Sequence, residues 1–267
     1  MEKKLLKDVN KALYLSVLFA LTSHSFAQEP VSDSTHALSL AAYSASGDFG
    51  LPAQTDIAYL PLRYEYDSQS WGFQLLVPHL QVEGPGAVLV NLGGVNRAVA
   101  GNAIKRESGL GDIVGSAIFH LPAGSDSSPF IDFRLDLKIP TADEARGLGS
   151  GETDANLQVD VSQYWNNLLL FASLGYSFRG ESELYPDLTD GAYVQLGAAR
   201  QLSGDLTVGG LLDYRQSAAT QFDDIVEAGP YLSWRVDDRW LLSAFSLVGF
   251  TGASVDYSVL AQLRYRF

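Results

Sequence analysis

Four alternate positions, Asp132, Arg134, Asp136 and Lys138, carry charges of both signs within the run Pro129–Ile139. In an extended chain, next-but-one residues share a face and lie about 7 Å apart. A row of this kind can pair charges with a neighbouring strand, or it can form a constriction that selects or orients a solute. Acid–base catalysis is the competing chemistry, and it requires two groups brought to one reacting atom. No carboxylate pair is singled out for that role. The histidines after residue 27 are His36, His79 and His120, followed by Ala-Leu, Leu-Gln and Leu-Pro. A serine hydrolase needs its serine within hydrogen-bond reach of the histidine, and on one membrane strand that takes the form H-x-S, which none of the three shows. No catalytic residue is expected.

Gly147-Leu148-Gly149-Ser150-Gly151 has the glycine density of a phosphate cradle. That motif requires a helix N-terminus behind it, and here the alternating run Asp154–Trp165 follows instead. The expectation is a flexible loop. Asp143, Glu144, Glu152, Glu181, Glu183, Asp187, Asp223 and Asp224 are hard-oxygen candidates for calcium, but they lack EF-hand spacing. They predict a solvated loop surface, bridged to lipopolysaccharide by divalent ions. Without a cysteine there are neither disulfides nor thiolate ligands. No cofactor or metal site is expected.

The elements that must position these residues are strands. In Asp154–Trp165, DANLQVDVSQYW, Ala155, Leu157, Val159, Val161 and Trp165 share one face, against Asn156, Gln158, Asp160, Ser162 and Tyr164 on the other. Period-two alternation of apolar and polar residues is the pattern of a barrel wall in lipid. Marking such runs predicts about twelve strands: Ala37–Ser46, Thr55–Asp67, Ser70–Val82, Gly109–His120, Pro129–Ile139, Asp154–Trp165, Leu168–Arg179, Asp190–Gln201, Asp205–Tyr214, Asp224–Arg235, Trp240–Gly249 and Ser254–Phe267. Most reach or exceed the roughly 9–11 residues that cross a bilayer, and soluble strands are usually shorter. Tight turns at Asp67–Ser70, Asn166-Asn167, Ser203-Gly204 and Asp237-Asp238 alternate with long links, the asymmetry of outer-membrane barrels. The longest link, Glu83–Ser108, is apolar and is expected either to fold into the barrel mouth as a lid or to lie over its neighbours as a short hairpin. The fold class expected is all-β: one antiparallel, up-and-down transmembrane β-barrel over residues 28–267.

Parity then assigns the lumen. Charge on the lipid face costs about 2–4 kcal/mol for Arg or Lys at the midplane, so Asp112, His120, Asp132, Arg134, Asp136, Lys138, Asp160, Arg264 and Arg266 are expected to face inward. The same parity points Arg63, Glu65, Arg179, Asp213, Glu227, Arg235 and Asp256 inward. A simple register places Lys138 near Asp112 and Arg134 near Ser116. Mixed signs predict no steep ion selectivity. Ile57, Tyr59, Leu76 and Leu211 could give the passage an apolar side. The closing alternation of Tyr257–Phe267 puts Tyr265 and Phe267 at the periplasmic interface, as an assembly signal for barrel-assembly machinery.

Residues 1–27 have the three parts of a secretory signal peptide: a lysine-rich start, the apolar core Ala12–Leu21, and Ser25-Phe26-Ala27 before the cleavage point. Their removal leaves 14 basic and 29 acidic residues, net –15. That balance excludes nucleic acid as a partner. The outer membrane of a Gram-negative bacterium is the expected location, with its lipid as partner.

Gly109–Leu121, Phe133–Trp165 and Leu174–Gly180 resemble the MetA-pathway of phenol degradation family of outer-membrane proteins. The elements that carry the resemblance are Gly109-Leu110-Gly111-Asp112, Lys138-Ile139-Pro140-Thr141, Gly149 to Asp154 and Gly175-Tyr176, covering about 70 residues well. The resemblance implies a β-barrel that passes small, often hydrophobic or aromatic, solutes. The competing expectations are a closed structural or adhesion barrel and, less favoured, a barrel hydrolase.

Overall fold

The computed structural model describes residues 13–15, 24–26, 34–49, 53–91, 94–122, 128–183, 185, 187–220 and 222–267. Most of the expected leader lies outside these residues. Leu13–Leu15 and His24–Phe26 form a small ladder separate from the main sheet.

Thirteen antiparallel strands make the main sheet: β1 (Thr35–Gly47), β2 (Thr55–Asp67), β3 (Trp71–Asn91), β4 (Gly94–Leu110), β5 (Ile113–Leu121), β6 (Phe130–Ile139), β7 (Asp154–Trp165), β8 (Leu168–Phe178), β9 (Gly191–Gln201), β10 (Leu206–Arg215), β11 (Ile225–Arg235), β12 (Trp240–Gly249) and β13 (Tyr257–Arg266). Pairing of β13 with β1, and of β3 with both β2 and β5, closes the wall. β4 and β5 occupy one position in that wall, because both pair with β3. The barrel therefore has twelve positions, as expected.

The break between β4 and β5 is a bulge. Leu110 pairs with His79 and Val114 with Leu76, so Gly111, Asp112 and Ile113 oppose only Val77 and Pro78. Pro78 has no N–H to give the ladder, and its carbonyl instead accepts from Gly111 N at 3.0 Å. The extra residue re-aims the strand and turns Asp112 inward. Beyond this point β3 and β4 pair from Glu83↔Arg106 to Asn91↔Gly94. The link expected over Glu83–Ser108 is thus a long hairpin that prolongs the wall.

The two faces are the inverse of a soluble protein. Leu40, Leu62, Phe73, Leu137, Leu157 and Leu174 stand exposed outside, while Lys138, Asn156 and Asp136 are almost fully buried inside. Only lipid can cover such an exterior. Aromatic contacts gather at the strand ends: Trp240–Tyr265 (4.6 Å), Trp71–Phe119 (5.1 Å) and His36–Phe267 (5.9 Å) at the short-turn end, and Tyr176–Phe178 (4.9 Å) at the other. These are the positions of interfacial girdles. A depression of about 650 Å³ bounded by Trp71, Phe133, Leu135, Leu157 and Tyr176 lies on this outer wall and belongs to the lipid face.

Candidate functional site

Strand tilt makes a row of directly opposed residues climb a barrel as it passes from strand to strand. Two such sets of rows divide the inner wall. One is apolar. It starts at the short-turn end with Tyr164↔Leu169 and continues through Ala199, Gly209 and Tyr231. It then runs through Phe245, Leu260, Tyr43 and Tyr59 to Leu80, near the long-loop end. Phe171, Leu211, Leu247 and Ile57 flank it in one continuous apolar cluster. Ile57, Tyr59, Leu76 and Leu211, whose facing the sequence left open, all turn inward. Glycine makes room for the rings: a Cβ on Gly209 would lie 2.4 Å from the Tyr231 ring, and one on Gly197 2.0 Å from Phe171.

The other set is charged. One row reads His120, Asp132, Asp160, Ser173, Gln195, Asp213 and Glu227. It opposes Asp132 to Asp160 and Asp213 to Glu227, and like charges across a ladder destabilise it. Each pair is relieved by a third group. Arg215 donates to Asp213 (2.6 Å) and Glu227 (2.7 Å). His120 Nδ1 meets Asp132 and Nε2 meets Asp67, both at 2.8 Å. Asp160 accepts from the Gln158 amide at 2.7 Å. The His120 ring thus bridges Asp67 on β2 and Asp132 on β6. Arg134 donates to Asp136 (2.6 Å) and Ser116 (2.8 Å), and Arg264 to Glu65 (2.7 Å). The Asn156 amide and one oxygen each of Asp136 and Asp213 are buried without a protein hydrogen-bond partner.

Lys138 ties the charged band to the loops. Its ammonium lies 2.7 Å from Asp154 and 3.3 Å from Asp112, and donates to Ser150 Oγ at 2.7 Å. Asp112 Oδ1 accepts from Thr141 N and Ala142 N, both at 3.0 Å. Asp154 accepts from Gly180 N (3.0 Å), and Ser150 O from Ser182 Oγ (2.8 Å). The separate Gly-Leu-Gly-Asp, Lys-Ile-Pro-Thr and Gly-to-Asp154 segments therefore meet at one ammonium. Nearby, burial and then the Glu144 carboxylate raise the Tyr185 phenol above its ordinary pKa, keeping it neutral.

Of the expected lumen residues, Asp112, His120, Arg134, Asp136, Lys138, Asp160 and Arg264 are buried, and Lys138 lies beside Asp112 and Arg134 beside Ser116. Two others are more exposed. Asp256 is exposed just before β13. Arg266 is only half-buried and donates to Asp238 O in a short turn at 2.8 Å, because β13 reaches the rim there. The loop Gly147–Gly151 is built rather than loose: Gly147 and Gly151 have φ of 71° and 75°, and Leu148 is buried. Arg215 was missed because the expected strand stopped at Tyr214; continuing the alternation from Asp213 by one step finds it.

An apolar exterior on a closed, twelve-position antiparallel wall defines a transmembrane β-barrel of outer-membrane type. The chain belongs to the family described as "Putative MetA-pathway of phenol degradation", whose pattern matches residues 40–267. Among solved structures it is similar to an outer membrane channel from Pseudomonas putida F1, with TM-score 0.66 and 12% identity over 90% of this chain and 97% of that one. The β domain of the Bordetella autotransporter BrkA gives TM-score 0.49 and 12% identity over 87% and 98%. At 12% identity the likeness to the Pseudomonas putida channel is one of fold. No curated protein matches the sequence.

Proposed function

We propose that this barrel is an outer-membrane channel for passive passage of small, largely apolar compounds. The observation that carries the proposal is the unbroken apolar row from Tyr164 to Leu80, inside a wall that is otherwise charged. An apolar solute following it exchanges one apolar neighbour for another and never has to break an ion pair. Twelve strands leave more room than the eight that side chains alone fill; here large rings and inserted loop residues take up the difference. Planar-bilayer conductance and solute uptake by cells lacking the barrel test the proposal. A folded barrel that neither conducts nor restores uptake removes it.

The crowding of buried side chains on the inner wall favours a second reading, a structural or adhesion barrel whose acidic loops meet the envelope or another cell. Deleting the hairpin tip, residues 85–104, separates the two: a channel changes permeability, and a structural barrel changes only surface behaviour. We also infer that Tyr265 on β13 and Phe267 just beyond it are read by barrel-assembly machinery. Removing Phe267 should lower the inserted fraction on a membrane-flotation assay, and undiminished insertion would refute it.

A further inference from the structure

The upper end of the apolar row is occupied by the protein itself. Leu80 pairs with Gly109, and a Cβ on Gly109 would lie 2.9 Å from Leu148 Cδ1. Leu148 comes from the loop between β6 and β7, yet it is 2% exposed and belongs to the lumen's apolar cluster. It fills the place that a side chain at the last rung would take.

The loop is shaped to hold it there. Gly147 and Gly151 adopt left-handed φ on either side, a conformation that glycine takes at little cost. Gly149 packs so closely on the Asp112 carboxylate that a Cβ would lie 2.8 Å from it. Two residues beyond Leu148, Ser150 is pinned by Lys138. Two residues before it, Arg146 donates to Glu107 on β4 at 2.8 Å.

We propose that the last rung of the apolar row is a binding site for an uncharged apolar solute, occupied at rest by Leu148 as a built-in stopper, with the Lys138–Ser150 bond holding the stopper in place. This rests on the channel reading and adds to it an entry site and a reason why this end of the row is filled. The solute class follows from the occupant: an apolar group of branched-alkyl to single-ring size, without charge. An arriving solute competes with Leu148, expels it, and frees the loop. Its apparent affinity is lowered by the fraction of time the stopper is seated.

The absence of cysteine in the chain allows a clean probe. Ala145 is exposed in the same loop, so Ala145→Cys can carry one nitroxide. The labelled full-length barrel in lipid vesicles is titrated with cyclohexanol, and with cyclohexanecarboxylate as the charged control. Cyclohexanol is expected to raise label mobility saturably, and the carboxylate to leave it unchanged. In Leu148→Ala and in Lys138→Met the label should start mobile, and cyclohexanol should bind about tenfold more tightly, because the competing stopper is weakened. Lys138→Arg, which keeps the charge, should stay closer to the parent. Unchanged mobility and affinity in both Leu148→Ala and Lys138→Met overturn the stopper. If uptake of the apolar dye N-phenylnaphthylamine nevertheless depends on the barrel, the channel reading survives alone; if uptake and conductance are absent too, both fall.

Discussion

The apolar row and the charged band share one wall and one ladder, and they are built on opposite terms. In the charged band the cations are held by named partners at fixed distances: Arg215 between Asp213 and Glu227, His120 between Asp67 and Asp132, Lys138 between Asp112 and Asp154. Removing one member strands another in a buried position. In the apolar row most contacts are between apolar groups, and no charge sign is at stake. A solute can replace a side chain there without leaving a polar group unpaired. The charged band therefore acts as the frame, and the apolar row as the part able to yield.

The largest effect should come from the frame. Lys138→Met leaves Asp112 and Asp154 facing each other without a cation, and breaking a buried pair in this way costs about 3–5 kcal/mol. Urea unfolding in lipid vesicles should show it directly. A loss below about 1 kcal/mol would mean that water reaches this node and that the band is less rigid than its distances suggest.

Phe171→Ala gives the matching test on the other side. Deleting a buried ring costs about 3–5 kcal/mol, somewhat less here if lipid-like solutes enter the space. The comparison predicts opposite consequences for passage. Phe171→Ala widens the row and should raise the uptake of an apolar dye. An equally destabilising frame substitution far from the loops, Arg134→Met, should not. Equal changes in uptake would erase the distinction between frame and conduit.

How far the sequence reveals these two regions depends on how local each one is. Asp132, Arg134, Asp136 and Lys138 sit on a single strand, so alternation alone turned them inward and their sign pattern announced pairing. The apolar row takes one residue from each of ten strands. Period two says that Tyr231 and Leu260 face inward; only the stagger between strands says that they belong to one climbing row. That stagger is a property of closure, set by tilt, and no single segment encodes it. The length of the hairpin beyond Glu83 was hidden for a related reason: Gly84, Pro85 and Gly86 look like loop punctuation, yet the ladder runs through them with register shifts. Leu148 was hidden because glycine-rich links usually signal looseness, and its burial depends on the close approach of Gly109 to its side chain and of Asp112 to the neighbouring Gly149.

A smaller perturbation can interrupt the row without emptying it. Leu260→Gln keeps the volume and places an amide midway, between Phe245 and Tyr43. A buried amide without partners costs about 1–3 kcal/mol. Dye uptake should fall while ion conductance stays within about twofold, since the charged band is untouched. Unaltered uptake would show that solutes do not follow this row.

The finest comparison uses one chemical change in both regions. Tyr193 belongs to the charged side, where its hydroxyl donates to Gln158 Oε1 at 2.7 Å. Tyr231 belongs to the apolar row, and its buried hydroxyl has no protein hydrogen-bond partner. Removing a hydroxyl that makes a buried bond costs about 1 kcal/mol, whereas removing one without a partner is neutral or stabilising. Tyr193→Phe should therefore lower the unfolding midpoint slightly, and Tyr231→Phe should leave it unchanged or raise it. The same sign for both would mean that the Tyr231 hydroxyl is satisfied by water in the membrane, and that the apolar row is wetter at its middle rung than at its ends. Opposite signs would show that a single hydroxyl distinguishes the charged side of β9 from the apolar row on β11.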